Sequence, residues 1–404
     1  MDVQTNEDLL DLIRSKGETP VPYFEGCTFF PPLEFVFDVL GMPEVPKQSY
    51  EQKQQPGWLT WKTFSKWMSK LPASMQLRPS QILKLTKALS STQSFHGLLK
   101  DSLARDALWK PYPQWIVLLH RSFQSEICSA YWSGLLEAEW QLMCKILPAA
   151  PTNRARLEAL ANSSLMRTLG APGSHERMHQ MLASELDPNK VLASSDFINC
   201  RMSDLVSFML RLAAWYIVDG SMSQWGLTIR AKKQNEILFG ELLPVRQKDG
   251  GWTNSVEACL KYFAFLCCCP PDDTLSSSLG RIWAEHDYVQ NEFPEVASRQ
   301  HTLRDWLSGV KGRPKRDTVL SFSSAVAHKA ASLRGHAASE AQAEIVGLVY
   351  RFHFAETSRY VLGEMQRKCF SESLIETVFS SYEEEYRKAR TLLGKPLAER
   401  EESI

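Results

Sequence analysis

The chain has 404 residues, with 44% apolar and 23% charged side chains, the proportions of a globular protein large enough for two or three domains. Lys and Arg total 46 and so do Asp and Glu, which excludes a bulk attraction to polyanions. The first residues, Met1 to Asp8, are acidic and polar rather than basic and then apolar, and no apolar run is long enough to span a bilayer, so a secretory leader, an anchor and a membrane partner are not expected.

Net neutrality conceals opposed blocks. Residues 1–46 carry nine acids against Arg14 and Lys16, a net −7. Residues 47–110 carry eleven bases against three acids, a net +8. Residues 272–297 are net −5 and residues 301–338 net +5. Such alternation predicts a surface with polarity, and the acidic segments could dock basic protein partners.

In chain order, the first strong helical pattern lies between Trp58 and Leu71. Trp61, Phe64, Met68 and Leu71 share one face, while Lys62, Lys66 and Lys70 recur every four residues on another. Breaks at Pro72 and Pro79 precede a second amphipathic stretch carrying Lys84 and Lys87. Two helices with basic outer faces form a surface that can follow a phosphate backbone, each neutralised phosphate releasing counterions. A solvated lysine face opposite an apolar one fits the same residues.

From Glu126 to Leu147, Ile127, Tyr131, Leu135, Leu142 and Ile146 fall on one stripe. Leu147 to Asn153 contains Pro148 and Pro151 and predicts a connector. Further on, His175-Glu176-Arg177-Met178-His179 matches the H-E-x-x-H pattern of zinc metallopeptidases. On a helix, His175 and His179 face the same way as metal ligands and Glu176 could serve as general base. The glycine-rich turn just upstream, Arg177 within the motif, and Leu182 and Glu185 in place of the downstream Gly and His all depart from that pattern. The competing reading is a helix start capped by Ser174.

Gly226–Ile229 and Glu241–Arg246 are the two candidate short strands, and Gly250-Gly251 reads as a loop. Pro270 to Thr274, followed by three serines, predicts a second surface connector. Glu285, His286 and His328 flank the second basic block without forming a paired-carboxylate motif.

That block contains Lys311-Gly312-Arg313-Pro314-Lys315-Arg316, which resembles the AT-hook, a short DNA-binding motif built on Gly-Arg-Pro between bases. The resemblance covers six residues. It implies an extended strand with Arg313 in a narrow minor groove and Lys311, Lys315 and Arg316 on phosphates. Ser339 with Gln342 and Ser373 with Glu376 then predict capping boxes, and Gly394-Lys395-Pro396 a helix end.

The expected fold is all-α or nearly so, in helical subdomains near 1–150, 151–270 and 271–404. Nine Cys without a CxxC pair, including Cys267-Cys268-Cys269, point to free thiols in a reducing compartment, the cytoplasm or the nucleus. The expected function is non-enzymatic nucleic-acid binding, DNA in preference to RNA, within a larger assembly, with no cofactor. Its two rivals are a zinc-dependent hydrolase at His175, Glu176 and His179, and a structural scaffold whose charge blocks pair internally.

Overall fold

The computed structural model describes residues 29–31, 36, 39, 115, 119, 123–223, 237–289, 295–309, 313–336 and 338–394. Helix dominates among the described residues, in agreement with the all-α expectation. The chain forms two units. The first comprises residues 1–37 and 43–208, the second residues 38–42 and 209–404.

In the first unit the helices are α1 (Glu126–Gln141), α2 (Asn153–Ala161), α3 (Ser164–Thr168), α4 (Ser174–Ser184), α5 (Pro188–Ala193) and the first part of α6 (Ser195–Ser223). Ser125, Thr152, Ser163 and Asp187 each cap the following helix through a side-chain oxygen that accepts a backbone N–H. Phe30, Trp115, Trp132 and Phe208 meet edge to face at the centre. Glu139 lies in that core, 0% exposed, and accepts the backbone N–H groups of Phe29 (2.6 Å) and Phe30 (2.8 Å). A buried carboxylate thereby pins a distant segment to α1.

The face α1 buries is not the expected one. Cys128, Trp132, Leu136, Glu139 and Trp140 are buried, whereas Ile127, Tyr131 and Leu135 are only half-buried and Ile146 is exposed. The two Trp side chains set the phase. A π-helical turn, Leu142–Ile146, then adds a residue to the helix and turns Leu142, Met143 and Leu147 inward. The proline-rich connector ends the helix at Ala149 and lies within this unit.

The second unit contains the rest of α6, then α7 (Ser255–Leu266), α8 (Leu275–Val289), α9 (Val296–Ser308), α10 (Arg316–Leu333), α11 (Ala338–Arg367) and α12 (Glu372–Gly394). The 30-residue α11 is central. It packs along α10 and against α7, and its Ile345, Leu348 and Phe352 are buried. Trp283, Trp306, Phe322, Phe352 and Phe263 form a continuous aromatic cluster. α8 and α9 approach closely at Gly280, where a Cβ would lie 3.1 Å from the Gln300 backbone.

Ion pairs join helices of this unit. Arg211 meets Glu385 at 3.1 Å, with Trp215 Nε1 donating to the same carboxylate at 2.7 Å. Arg299 meets Asp287 at 2.7 Å, Arg334 meets Glu344 at 2.8 Å, and Arg351 meets Glu241. The second connector, Pro270 to Thr274, leads into α8.

Two sequence expectations need correction here. Glu241–Arg246 is not a strand: Gly240–Leu242 is a 3-10 turn, and a single antiparallel bridge joins Arg246 to Trp252 around Gly250, whose φ is +86°. The Val245 N–H is taken by Thr253 Oγ1 instead of a partner strand. The cap of α12 is Ser371, whose Oγ accepts the Leu374 N–H, rather than Ser373. Gly226–Ile229 and the side chain of Ser339 lie outside the described residues. Cys128, Cys200, Cys259, Cys267, Cys268, Cys269 and Cys369 are free thiols. Among the described residues, no helix is long and apolar enough to cross a membrane.

Candidate functional site

The basic hexapeptide enters the described structure at Arg313; Lys311 lies outside it. Pro314 is buried, Lys315 is exposed at the N-cap of α10, and Arg316 begins that helix. Arg313 turns inward. Its guanidinium donates to the Val39 carbonyl and to Thr357 Oγ1 (3.0 Å), lies 3.8 Å from Glu356 and sits over the Tyr360 ring at 4.7 Å. A guanidinium committed in this way reaches a DNA groove only by giving up these partners.

Arg313 belongs to a buried polar cluster on one side of α11. Glu356 is shared between Arg313 and Arg359, the latter at 2.5 Å. Burial pushes the Glu356 carboxyl up, and the two guanidinia oppose that push. Arg359 also donates to the Trp306 carbonyl. His353, one turn away and 4% exposed, is held down to about 4 by burial first and by Arg313 and Arg316 second. It is a neutral imidazole beside two cations. Sequence reasoning missed this cluster because Glu356 and Thr357 stand more than forty residues from Arg313. The only local signal was the helical spacing of Glu356 and Arg359.

The other basic candidates, Lys62, Lys66, Lys70, Lys84 and Lys87, lie outside the described residues, as do the acids of 1–46 other than through the unit assignment of their segment.

No protein-family model matches this chain, and neither does any curated protein or solved structure.

The histidine motif sits at the start of α4. Gly170 allows a close pass, since a Cβ there would fall 2.3 Å from the Met166 carbonyl oxygen. Gly173 takes a left-handed φ of +78° at the N-cap, so the expected cap is corrected: Ser174 is already helical and makes no capping bond. Instead Ser174 is fully buried, and its Oγ accepts from Arg177 Nη2 at 2.8 Å. Arg177 also donates to the Pro172 carbonyl at 3.2 Å. The arginine that is foreign to a peptidase motif thus braces the turn before the helix. The turn is fixed again from α6, where Asp204 accepts the Ala171 N–H at 2.8 Å and pairs with Arg201 at 2.5 Å. Burial raises the Asp204 carboxyl, and Arg201 works against that shift.

Met178 and Leu182 bury one face of α4 and leave His175 and His179 half-buried on its flank. The two Nε2 atoms lie 3.3 Å apart. Glu176 is on the other side of the His175 ring, 4.0 Å from Nδ1, and largely exposed. Among the described residues no group of three His, Cys, Asp or Glu side chains is placed to hold a metal ion. The motif therefore brings together its two imidazoles, but not a third ligand or a carboxylate on the metal side.

Glu285 is exposed on α8. His286 and His328, from α8 and α10, stack with ring centroids 5.4 Å apart. His286 Nε2 is 3.4 Å from Ser324 Oγ, but its Nδ1 is 3.9 Å from Asp287, too far for a hydrogen bond. Asp287 is engaged by Arg299 and accepts from Ser321. These groups tie α8 to α9 and α10, and do not form a relay.

Proposed function

We propose that this chain is a non-enzymatic helical subunit of a larger assembly that contacts nucleic acid, DNA in the first instance, through lysine-rich surface segments. What supports this most is a division of labour between the two basic residue types. Five arginines of the second unit, Arg211, Arg299, Arg313, Arg334 and Arg351, are spent on ties between its elements, each reaching a carboxylate. Among the described lysines, Lys248, Lys315 and Lys368 are exposed, while Lys261 and Lys388 pair along their own helices with Glu257 and Glu385. Lysine is a flexible, strongly hydrated point charge suited to phosphates, whereas the arginine fork suits fixed bidentate partners. The contact set is then Lys62, Lys66, Lys70, Lys84 and Lys87, with Lys311, Lys315 and Arg316, while Arg313 anchors the chain just before α10.

A scaffold that binds no nucleic acid is the second reading. It is favoured by the same ion pairs, which show how readily this sequence neutralises its charges internally.

Binding of the full chain to duplex and single-stranded DNA over a salt series separates the two. Contact with several phosphates makes log K fall steeply and linearly with log salt, with a slope near −0.9 per phosphate on duplex. The triple variant Lys62→Ala, Lys66→Ala, Lys70→Ala should lower that slope by about 3. A wild-type chain that binds neither DNA at low salt would leave the scaffold.

A further inference from the structure

We propose that His175 and His179 form a two-histidine chelate for a divalent transition metal, zinc in particular, which binds without hydrolytic chemistry. This is independent of any nucleic-acid contact.

The geometry carries the assignment. Two imidazole nitrogens each about 2.05 Å from a tetrahedral zinc lie about 3.3 Å from one another. The Nε2 atoms of His175 and His179 are already 3.3 Å apart. Their ring centroids lie 4.5 Å apart with the planes at 68°, so the two rings stand side by side on the helix flank. Spacing of i and i+4 on an α-helix creates that approach, and three features hold it. Met178 and Leu182 fix the rotation of α4 about its axis. The Gly170 to Gly173 turn fixes where the helix starts, with Asp204 and Arg177 locking that turn. Both rings retain solvent access, which gives the ion an entry route.

Proton balance is simple. At 3.3 Å the metal-free pair can share a proton between the two Nε2 atoms. Zinc needs both lone pairs, so the bridging proton moves through solvent to an Nδ1 and both rings stay neutral. On His175 that Nδ1 faces the Glu176 carboxylate at 4.0 Å. A small rotation of this exposed side chain makes the carboxylate–imidazole–metal arrangement that orients ligating histidines. Glu176 is then a positioning residue behind the ligand. It stands on the wrong side of the ring to take a proton from metal-bound water. Two coordination positions are left for water or for an incoming ligand.

The test uses the full chain without a polyhistidine tag, titrated with zinc chloride by calorimetry. One ion per chain is expected. His175→Gln and His179→Gln should each weaken binding on the order of a hundredfold, because a monodentate site loses the gain from linking two ligands. His301→Gln serves as the control: this exposed histidine pairs with Asp305 at 3.6 Å and should bind zinc as the parent does. Circular dichroism checks that each variant is folded. A readout free of substitution is protection of His175 and His179 from diethyl pyrocarbonate by zinc. Absence of zinc binding, parental binding in both glutamine variants, or unprotected histidines would each overturn the site.

Discussion

Replacing Arg313 with alanine separates a groove-reading arginine from a structural one. In the folded unit its guanidinium serves Val39, Thr357, Glu356 and the face of Tyr360. A hydrogen bond from a charged donor contributes about 1.5–3 kcal/mol, and the cation–π contact about 0.5–1 kcal/mol. The side chain is 20% exposed, so water replaces part of what is lost. Glu356 keeps Arg359 and is not left as a bare buried carboxylate. The net cost is then about 2–3 kcal/mol, which for a unit of this size lowers Tm by about 5–10 °C. Arg313→Lys keeps the charge but cannot span Val39 and Thr357 together, and should recover less than half of it. Lys315→Ala, at an exposed position, should change stability by less than about 0.5 kcal/mol. Urea unfolding followed by tryptophan fluorescence reads all three. An Arg313→Ala protein with parental stability and weakened duplex binding would refute the structural role and restore the groove contact.

His353 titrates at about 4 in the folded chain against 6.5 for the free imidazole. Between these values the unfolded chain binds more protons, so stability is full above about pH 6.5 and falls as pH drops toward 4. The loss is about 3 kcal/mol, and His353→Leu should flatten that acid limb in urea midpoints measured from pH 7 to 4. An unchanged limb would place the acid sensitivity elsewhere. Gly280→Ala forces a Cβ against the Gln300 backbone and should destabilise by about 1–3 kcal/mol. Gly363→Ala meets nothing within 4 Å on α11 and should stabilise by about 0.5–1 kcal/mol; reversal of either sign in thermal melts would contradict the packing described. Glu139→Ala strips the Phe29 and Phe30 N–H groups of their acceptor and should cost about 1–3 kcal/mol for each left unsatisfied. Glu139→Gln keeps one acceptor oxygen and should cost less, by the same melts.

Helix was legible from periodicity, caps and proline breaks, since those signals are local. The α1 stripe was misplaced because two Trp residues outweighed the aliphatic spacing and a π-turn shifted the phase, which no fixed period can register. His175 and His179 were legible as a pair because i, i+4 geometry is set by the helix alone. The fate of Arg313 was not, since its partners come from Val39, Glu356 and Thr357, far away in sequence. Glu241–Arg246 looked like a strand by composition, but strand formation needs a neighbouring ladder that local sequence cannot supply.

The bond from Arg313 to the Val39 carbonyl spans 274 positions. Residues 38–42 belong with 209–404, so residues 43–208 of the first unit stand between the two pieces of the second in linear order. During synthesis, Val39 leaves the ribosome long before its guanidinium partner exists. Final closure of the second unit must wait for the intervening unit to be made, and a loop of that length closes at an entropic cost. Contacts this distant in sequence slow folding. A fragment beginning at residue 209 would carry α7 to α12 but lack its earliest-made tie. It should refold to a less stable state until a peptide containing residues 36–44 is supplied in trans.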